Sequence, residues 1–121
     1  MANDNETPIE IVRRFCAVWS NVNADEIAEF FTDDAVYHNI PMDPLTGRDA
    51  IKTFIAGFTG GAKQIDFRVS NIVADGDVVL TERVDVFELP VMGTFEVKDG
   101  KIAAWRDYFD MKQFMDQMAG G

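Results

Sequence analysis

The sequence predicts an α+β domain: three N-terminal helices wrapped by a strongly curved, mixed or antiparallel sheet into a cone, with a short C-terminal helix. Three observations lead there. Apolar residues recur at helical spacing through the first half of the chain. Beyond about residue 63 the period changes to two. Two Asp-Gly turns, Asp75-Gly76 and Asp99-Gly100, then fold the second half into antiparallel hairpins. The 121 residues suit one domain spanning 1–121.

The elements follow in order. Thr7-Pro8-Ile9-Glu10 reads as a helix start, with Thr7 as cap, Pro8 in the first turn and Glu10 completing a capping box. Ile9, Val12, Phe15, Cys16 and Trp19 form its apolar stripe, and the helix should end near Ser20. Asn23 caps a short second helix whose stripe is Ile27, Phe30 and Phe31. Val36 to Ile40 is a strand, and Pro41 and Pro44 make the next stretch a loop. Gly47-Arg48-Asp49 leads into a third helix with Ile51, Phe54, Ile55 and Phe58 on one face, ended by Gly60-Gly61. Strands are expected over Lys63 to Val73, Val78 to Leu89, Val91 to Val97 and Ile102 to Phe109, with Pro90 as an interruption. A helix from about Met111 to Met118 closes the chain.

Composition removes several function classes. Asp and Glu number 21 against 11 Lys and Arg, a net charge of −10, so nucleic acid and acidic lipid surfaces are repelled. The one cysteine, Cys16, excludes an intrachain disulfide, falls on a helix's apolar face as inert core, and suits a reducing cytosol. Met1 to Glu6 is unlike a signal peptide, and no apolar run approaches the roughly 20 residues needed to span a bilayer. The expectation is a soluble, cytoplasmic protein. His38 is the only histidine, so no metal site is expected, and neither a Gly-rich phosphate loop nor a Gly-x-Ser-x-Gly elbow occurs.

The strands carry the chemistry. Val79, Thr81, Arg83, Asp85 and Phe87 share one face of their strand, and Leu80, Glu82, Val84 and Val86 the other. Both faces are mostly apolar, so both are expected to be at least partly buried. Arg83 and Asp85 then stand among hydrophobes, where charges persist only when paired or hydrogen-bonded. In the last strand Ala103, Trp105, Asp107 and Phe109 share a face, which places Asp107 between two aromatic neighbours. Tyr37 and Asn39 share a face of the early strand, with His38 on the opposite one in a structural or surface role. An Arg-x-Asp pair is also what an ordinary internal salt bridge looks like, and a buried Asp near a strand end often caps a turn. Three strands sending polar groups inward within one small domain point toward a site.

Three segments taken together resemble limonene-1,2-epoxide hydrolases. They are Val36-Tyr37-His38-Asn39-Ile40-Pro41 followed by Gly47-Arg48, Thr81-Glu82-Arg83-Val84-Asp85-Val86, and Trp105-Arg106-Asp107-Tyr108-Phe109-Asp110. The resemblance runs over nearly the whole chain and keeps the motif order. The wider superfamily, with ketosteroid isomerases, polyketide cyclases and nuclear-transport-factor-like binding domains, has the cone fold.

The resemblance implies an Asp–Arg–Asp triad of Asp85, Arg83 and Asp107, with Asp107 as general base, Asp85 as general acid and Arg83 bridging them. Tyr37 and Asn39 would position the attacking water. The implied reaction opens a small, largely apolar epoxide, terpene-like or cyclic, to a vicinal diol without metal or cofactor. Phe58, Phe87 and Phe109 are expected to line the cavity. Superfamily members commonly dimerise through the uncovered sheet face, so a homodimer is expected. An isomerase or cyclase, or a non-catalytic binding module, would use the same fold with less reason to gather an arginine and two acids. One departure stands out: Phe87-Glu88-Leu89-Pro90 is shorter than the hairpin that helps wall the pocket in the best-known members.

Overall fold

The capping box at Thr7 forms as its sequence requires. Thr7 Oγ1 accepts from the Glu10 amide at 3.2 Å, and Glu10 Oε1 accepts from the Thr7 amide at 2.8 Å. This starts α1 (Pro8–Val18), which buries Ile11, Val12, Phe15 and Cys16. A 3-10 turn (Trp19–Asn21) follows, and α2 (Ala24–Ala28) is capped by Asn23, whose side chain accepts from the Glu26 amide at 3.1 Å. The chain is seen here as a computed structural model that describes residues 6–60, 65–85 and 88–120.

Helices and strands then assemble into the α+β architecture. β1 (Phe31–Asn39), β2 (Leu45–Thr46) and α3 (Arg48–Thr59) precede β3 (Arg68–Asp75), β4 (Val78–Asp85), β5 (Leu89–Lys98), β6 (Lys101–Tyr108) and α4 (Met111–Gly120). The six strands form one sheet in the order β2-β1-β6-β5-β4-β3. It is mixed, because β1 runs parallel to β6 while the other pairs are antiparallel. The two Asp-Gly turns are present, with Gly76, Asp99 and Gly100 in the left-handed region such turns demand. No helix among the described residues is long and apolar enough to cross a membrane.

The core lies between the helices and the inward face of the sheet. Trp105 is at its centre, stacked on Tyr37 (centroids 4.2 Å apart) and Phe95 (5.4 Å), with the edge of Phe15 at 5.0 Å. Cys16 is buried in this cluster.

Several boundaries differ from the sequence reading. Phe31 belongs to β1 rather than to the α2 stripe: it pairs with Ile102, and the Ile102 amide donates to Phe30 O at 2.7 Å. Adjacent apolar residues fit either period, and the parallel pairing decides. The segment after Pro44 contributes β2 to the sheet edge. Leu89 does not continue the strand of Asp85 but pairs with it across a hairpin. Glu88 takes a left-handed φ of 60° there, so the turn forms without the glycine or asparagine that would announce it. Pro90 is inside β5, paired with Val84 and beyond β5's last partner on β6, where a missing N–H is tolerated. Ala103 is the extra residue of a bulge, since Glu96 pairs with Ala104 and Val97 with Ile102. The bulge turns Ile102, not Ala103, into the core beside Trp105. The outward face of β4 is not buried in the single chain: Leu80 is 43% exposed and Glu82 is exposed.

Candidate active site

Strand register assembles the site. Thr81 on β4 pairs with Gly93 on β5, Gly93 with Asp107 on β6, and Asp107 with Asn39 on β1, so one row crosses four strands. Thr81, Arg83, Asp85 and Asp107 all turn inward and are buried. β5 separates Arg83 from Asp107, so the arginine must cross two strand spacings, roughly 10 Å. The gap it crosses lies at Gly93, where an added Cβ would collide with Arg83 Nη1 and stand 2.6 Å from Asp107 Oδ1. A glycine inside a strand is a known sign of such close approach.

Arg83 is held on three sides. Its Nε donates to Asp85 Oδ1 at 2.9 Å and Nη2 to Asp85 Oδ2 at 2.7 Å. Nη2 also donates to Asp107 Oδ2 at 2.8 Å, and Nη1 to Thr81 Oγ1 at 2.9 Å. The rings of Phe67, Phe95 and Trp105 surround the guanidinium, with Phe67 nearest at 5.1 Å. The second oxygen of Asp107 accepts from the Trp105 indole at 2.7 Å. These are the partners that buried charges need.

Burial and charge pull Asp107 in opposite directions. Burial pushes the Asp107 carboxyl up to about 6, although Arg83 opposes the shift. Burial works against the charge on Arg83, but Asp107 and Asp85 more than offset it and leave its pKa above the ordinary value. Tyr37 is also shifted upward, by burial first and Asp107 second, so it stays a neutral phenol.

The sequence-identified residues converge on this point. Tyr37 Oη donates to Asn39 Oδ1 at 3.1 Å, and both residues line the pocket that Asp85 and Asp107 face. The pocket is open at its mouth and lined almost wholly by apolar surface. Phe58 and Phe109 line it, while Phe87 lies outside the described residues. His38 is on the opposite face of β1, its Nε2 2.8 Å from Met42 O, in a structural contact.

Other contributors escaped the sequence reading. Gly93, the indole of Trp105 and the hydroxyl of Thr81 shape the triad, while Phe67, Leu89 and Phe114 add to the wall. Gly93 carried a readable signal, a lone glycine in a strand pattern. Phe114 carried none, because nothing local shows where a terminal helix docks.

Comparison with known proteins shows the family. Residues 6–120 match the family described as the limonene-1,2-epoxide hydrolase catalytic domain. Epoxide hydrolase EphG of Mycobacterium tuberculosis is 34% identical over 107 residues, covering 83% of this chain and 71% of EphG. The solved structure of an M. tuberculosis LEH-like epoxide hydrolase superposes with a TM-score of 0.77 at 31% identity, over 94% of this chain and 90% of that one. A Catenulispora acidiphila protein with a ketosteroid isomerase-like fold, crystallised with trimethylamine, reaches 0.82 at 21% identity, over 93% of this chain and 95% of that one, and shows the fold alone. The chain belongs to the limonene-1,2-epoxide hydrolase family.

Proposed function

We propose that this protein adds water to a small, largely apolar epoxide, terpene-like or cyclic, in one step without a covalent intermediate. One observation carries the reading: a single arginine bonded to two buried carboxyls that face one apolar pocket. An ionised Asp107 takes a proton from a water held beside it by Asn39 and Tyr37. The water oxygen attacks an epoxide carbon as the carbon–oxygen bond breaks, and Asp85 gives its proton to the leaving oxygen. The diol carries both protons, and one returning from Asp107 to Asp85 resets the site. A base near pKa 6 is stronger than an ordinary carboxylate yet still mostly ionised at neutral pH. Turnover of a panel of cyclic epoxides to diols, in buffer containing a chelator, tests the reading. No diol from any member would sink it.

The two-point grip of Arg83 on Asp85 favours one alternative, in which the roles are exchanged. The pairing of Asn39 with Asp107 across β1 and β6 supports the first assignment, since it sets the water-holding groups beside that acid. Residual activities separate the two. In the proposed assignment the acid limb of the pH profile persists in Asp85→Asn and vanishes in Asp107→Asn.

The uncovered sheet face supports a homodimer, because Val73, Leu80, Met92 and Tyr108 are all exposed in the single chain. Light scattering that gives only monomer at micromolar concentration would reject it. A lone buried thiol suits a reducing compartment, which supports a cytoplasmic location. Recovery in a membrane or extracellular fraction would contradict that placement.

A further inference from the structure

We propose that Thr81 is a positioning residue: across the opening left by Gly93, its hydroxyl holds the Arg83 guanidinium against Asp107. The inference rests on the hydrolase reading for its kinetic consequence and on geometry for everything else. Arg83 and Asp85 share a strand, and Nε and Nη2 bind Asp85 in a two-point fork. Only Nη2 reaches Asp107, and it shares that hydrogen-bonding nitrogen with Asp85. The bond to Asp107 is therefore the weaker-held end of the bridge. If the guanidinium drew back toward Asp85, Asp107 would lose the one cation bonded to it among the described residues, while Asp85 kept its own.

Thr81 opposes that movement. Its Oγ1 accepts from Nη1 at 2.9 Å and stands 3.4 Å from Gly93 O, to which the hydroxyl proton is directed. Thr81 is 1% exposed, so no water replaces this acceptor. A Cβ on Gly93 would stand 3.0 Å from Thr81 Oγ1 and 2.6 Å from Asp107 Oδ1, and would collide with Nη1. The glycine is thus the opening through which the arginine crosses β5, and the threonine, two residues before Arg83 on β4, holds the Nη1 side of the guanidinium, opposite the end that Asp85 grips. A planar guanidinium with all three of its nitrogens bonded to acceptors on β4 has little freedom to rotate. The proton that moves between the acids during turnover then does so across a cation that stays in place.

Among the described residues, the titratable groups coupled to Asp107 are Arg83 and Asp85 from β4, Tyr37 from β1 and the Cys16 thiol of α1. Arg83 is the only cation among them, so its distance governs how readily Asp107 holds a proton. Loosening it must move the Asp107 titration upward.

Thr81→Val keeps the shape and removes the acceptor. The expected result is a fall in kcat of about ten- to a hundredfold with little change in KM. The acid limb of the kcat/KM profile should move to higher pH, and Thr81→Ser should restore both. A carboxyl-carbon NMR titration of Asp107 should show the same upward shift without any need for turnover. Folded Thr81→Val with the wild-type limb and titration would overturn the proposal, as would a Thr81→Ser variant as impaired as the valine. Should Thr81→Val fail to fold, Thr81→Cys carries the test with its weaker acceptor: a smaller shift in the same direction is expected, and none overturns the idea. A wild-type enzyme that opens no epoxide would defeat the hydrolase reading instead, while the NMR titration would still decide what Thr81 does.

Discussion

The floor and the mouth of the pocket are built on different principles. At the floor, Arg83, Asp85 and Asp107 are almost fully buried, and each is bonded to at least one other member of the group. Four neighbouring strands set their positions through backbone register. At the mouth, Phe58, Phe109 and Phe114 are only partly buried. Among the described residues, α4 is tied there by Phe114 against Phe109 (5.8 Å) and by a long bond, 3.4 Å, from Gln117 to Glu88 O. Met115 and Met118 on the same helix are exposed. A precise polar cluster needs a rigid support, whereas an apolar wall needs only approximate shape. In the proposed function, chemistry would thus sit on the sheet and substrate choice on the elements that can vary.

That contrast breaks most directly at the floor. Asp107→Asn and Asp85→Asn should each lower turnover by about a thousandfold or more, without leaving substrate on the protein. Single turnover in heavy-oxygen water should place the label in the diol during the first cycle. Label in an aspartate side chain, or an adduct by mass spectrometry, would show a carboxylate attacking directly.

A smaller effect joins the floor to stability. The Asp107 carboxyl rises from 3.8 to about 6 on folding because burial disfavours its charge. The folded chain therefore takes up this proton at higher pH than the unfolded chain does. The resulting stabilisation is complete below about pH 4 and is lost as pH rises through about 6. Measured against Asp107→Asn, which does not titrate there, the wild type should gain about 2–3 kcal/mol between neutral pH and pH 4. Denaturant unfolding of both proteins at the two pH values checks this, and a difference independent of pH would contradict it. The same titration should make activity decline below about pH 6.

The mouth should give the smallest changes per substitution. Phe114→Ala or Phe109→Leu should alter relative rates across a series of epoxides by several-fold to tenfold. Stability should change by less than about 1.5 kcal/mol for side chains that are only partly buried. Unchanged selectivity in both variants would mean that the two regions are not divided as described.

The floor was also the more legible region. Alternation alone put Arg83 and Asp85 on one face and set Asp107 beside Trp105, because a strand's period of two leaves little choice. Family resemblance then joined them across strands. The crossing at Gly93 was missed because the order of strands, with β5 between β4 and β6, is a non-local fact. The bulge at Ala103 reversed the expected facing of Ile102, since one inserted residue shifts every facing on one side of it. Leu89 changed strands because Glu88 turns the chain without a turn residue to mark it. The mouth depends on where α4 docks, and the spacing of Phe114 within its helix says nothing about that.

The single thiol of Cys16 offers a use unrelated to catalysis. Burial pushes it up to about 12, so at neutral pH it is neither exposed nor ionised and should ignore thiol reagents in the native state. It lies inside the same aromatic cluster that supports Trp105 and, through it, Asp107. A reagent can reach it only when that cluster opens. Its labelling rate then becomes a clock for core opening, and every variant proposed above can be timed by it without adding a probe.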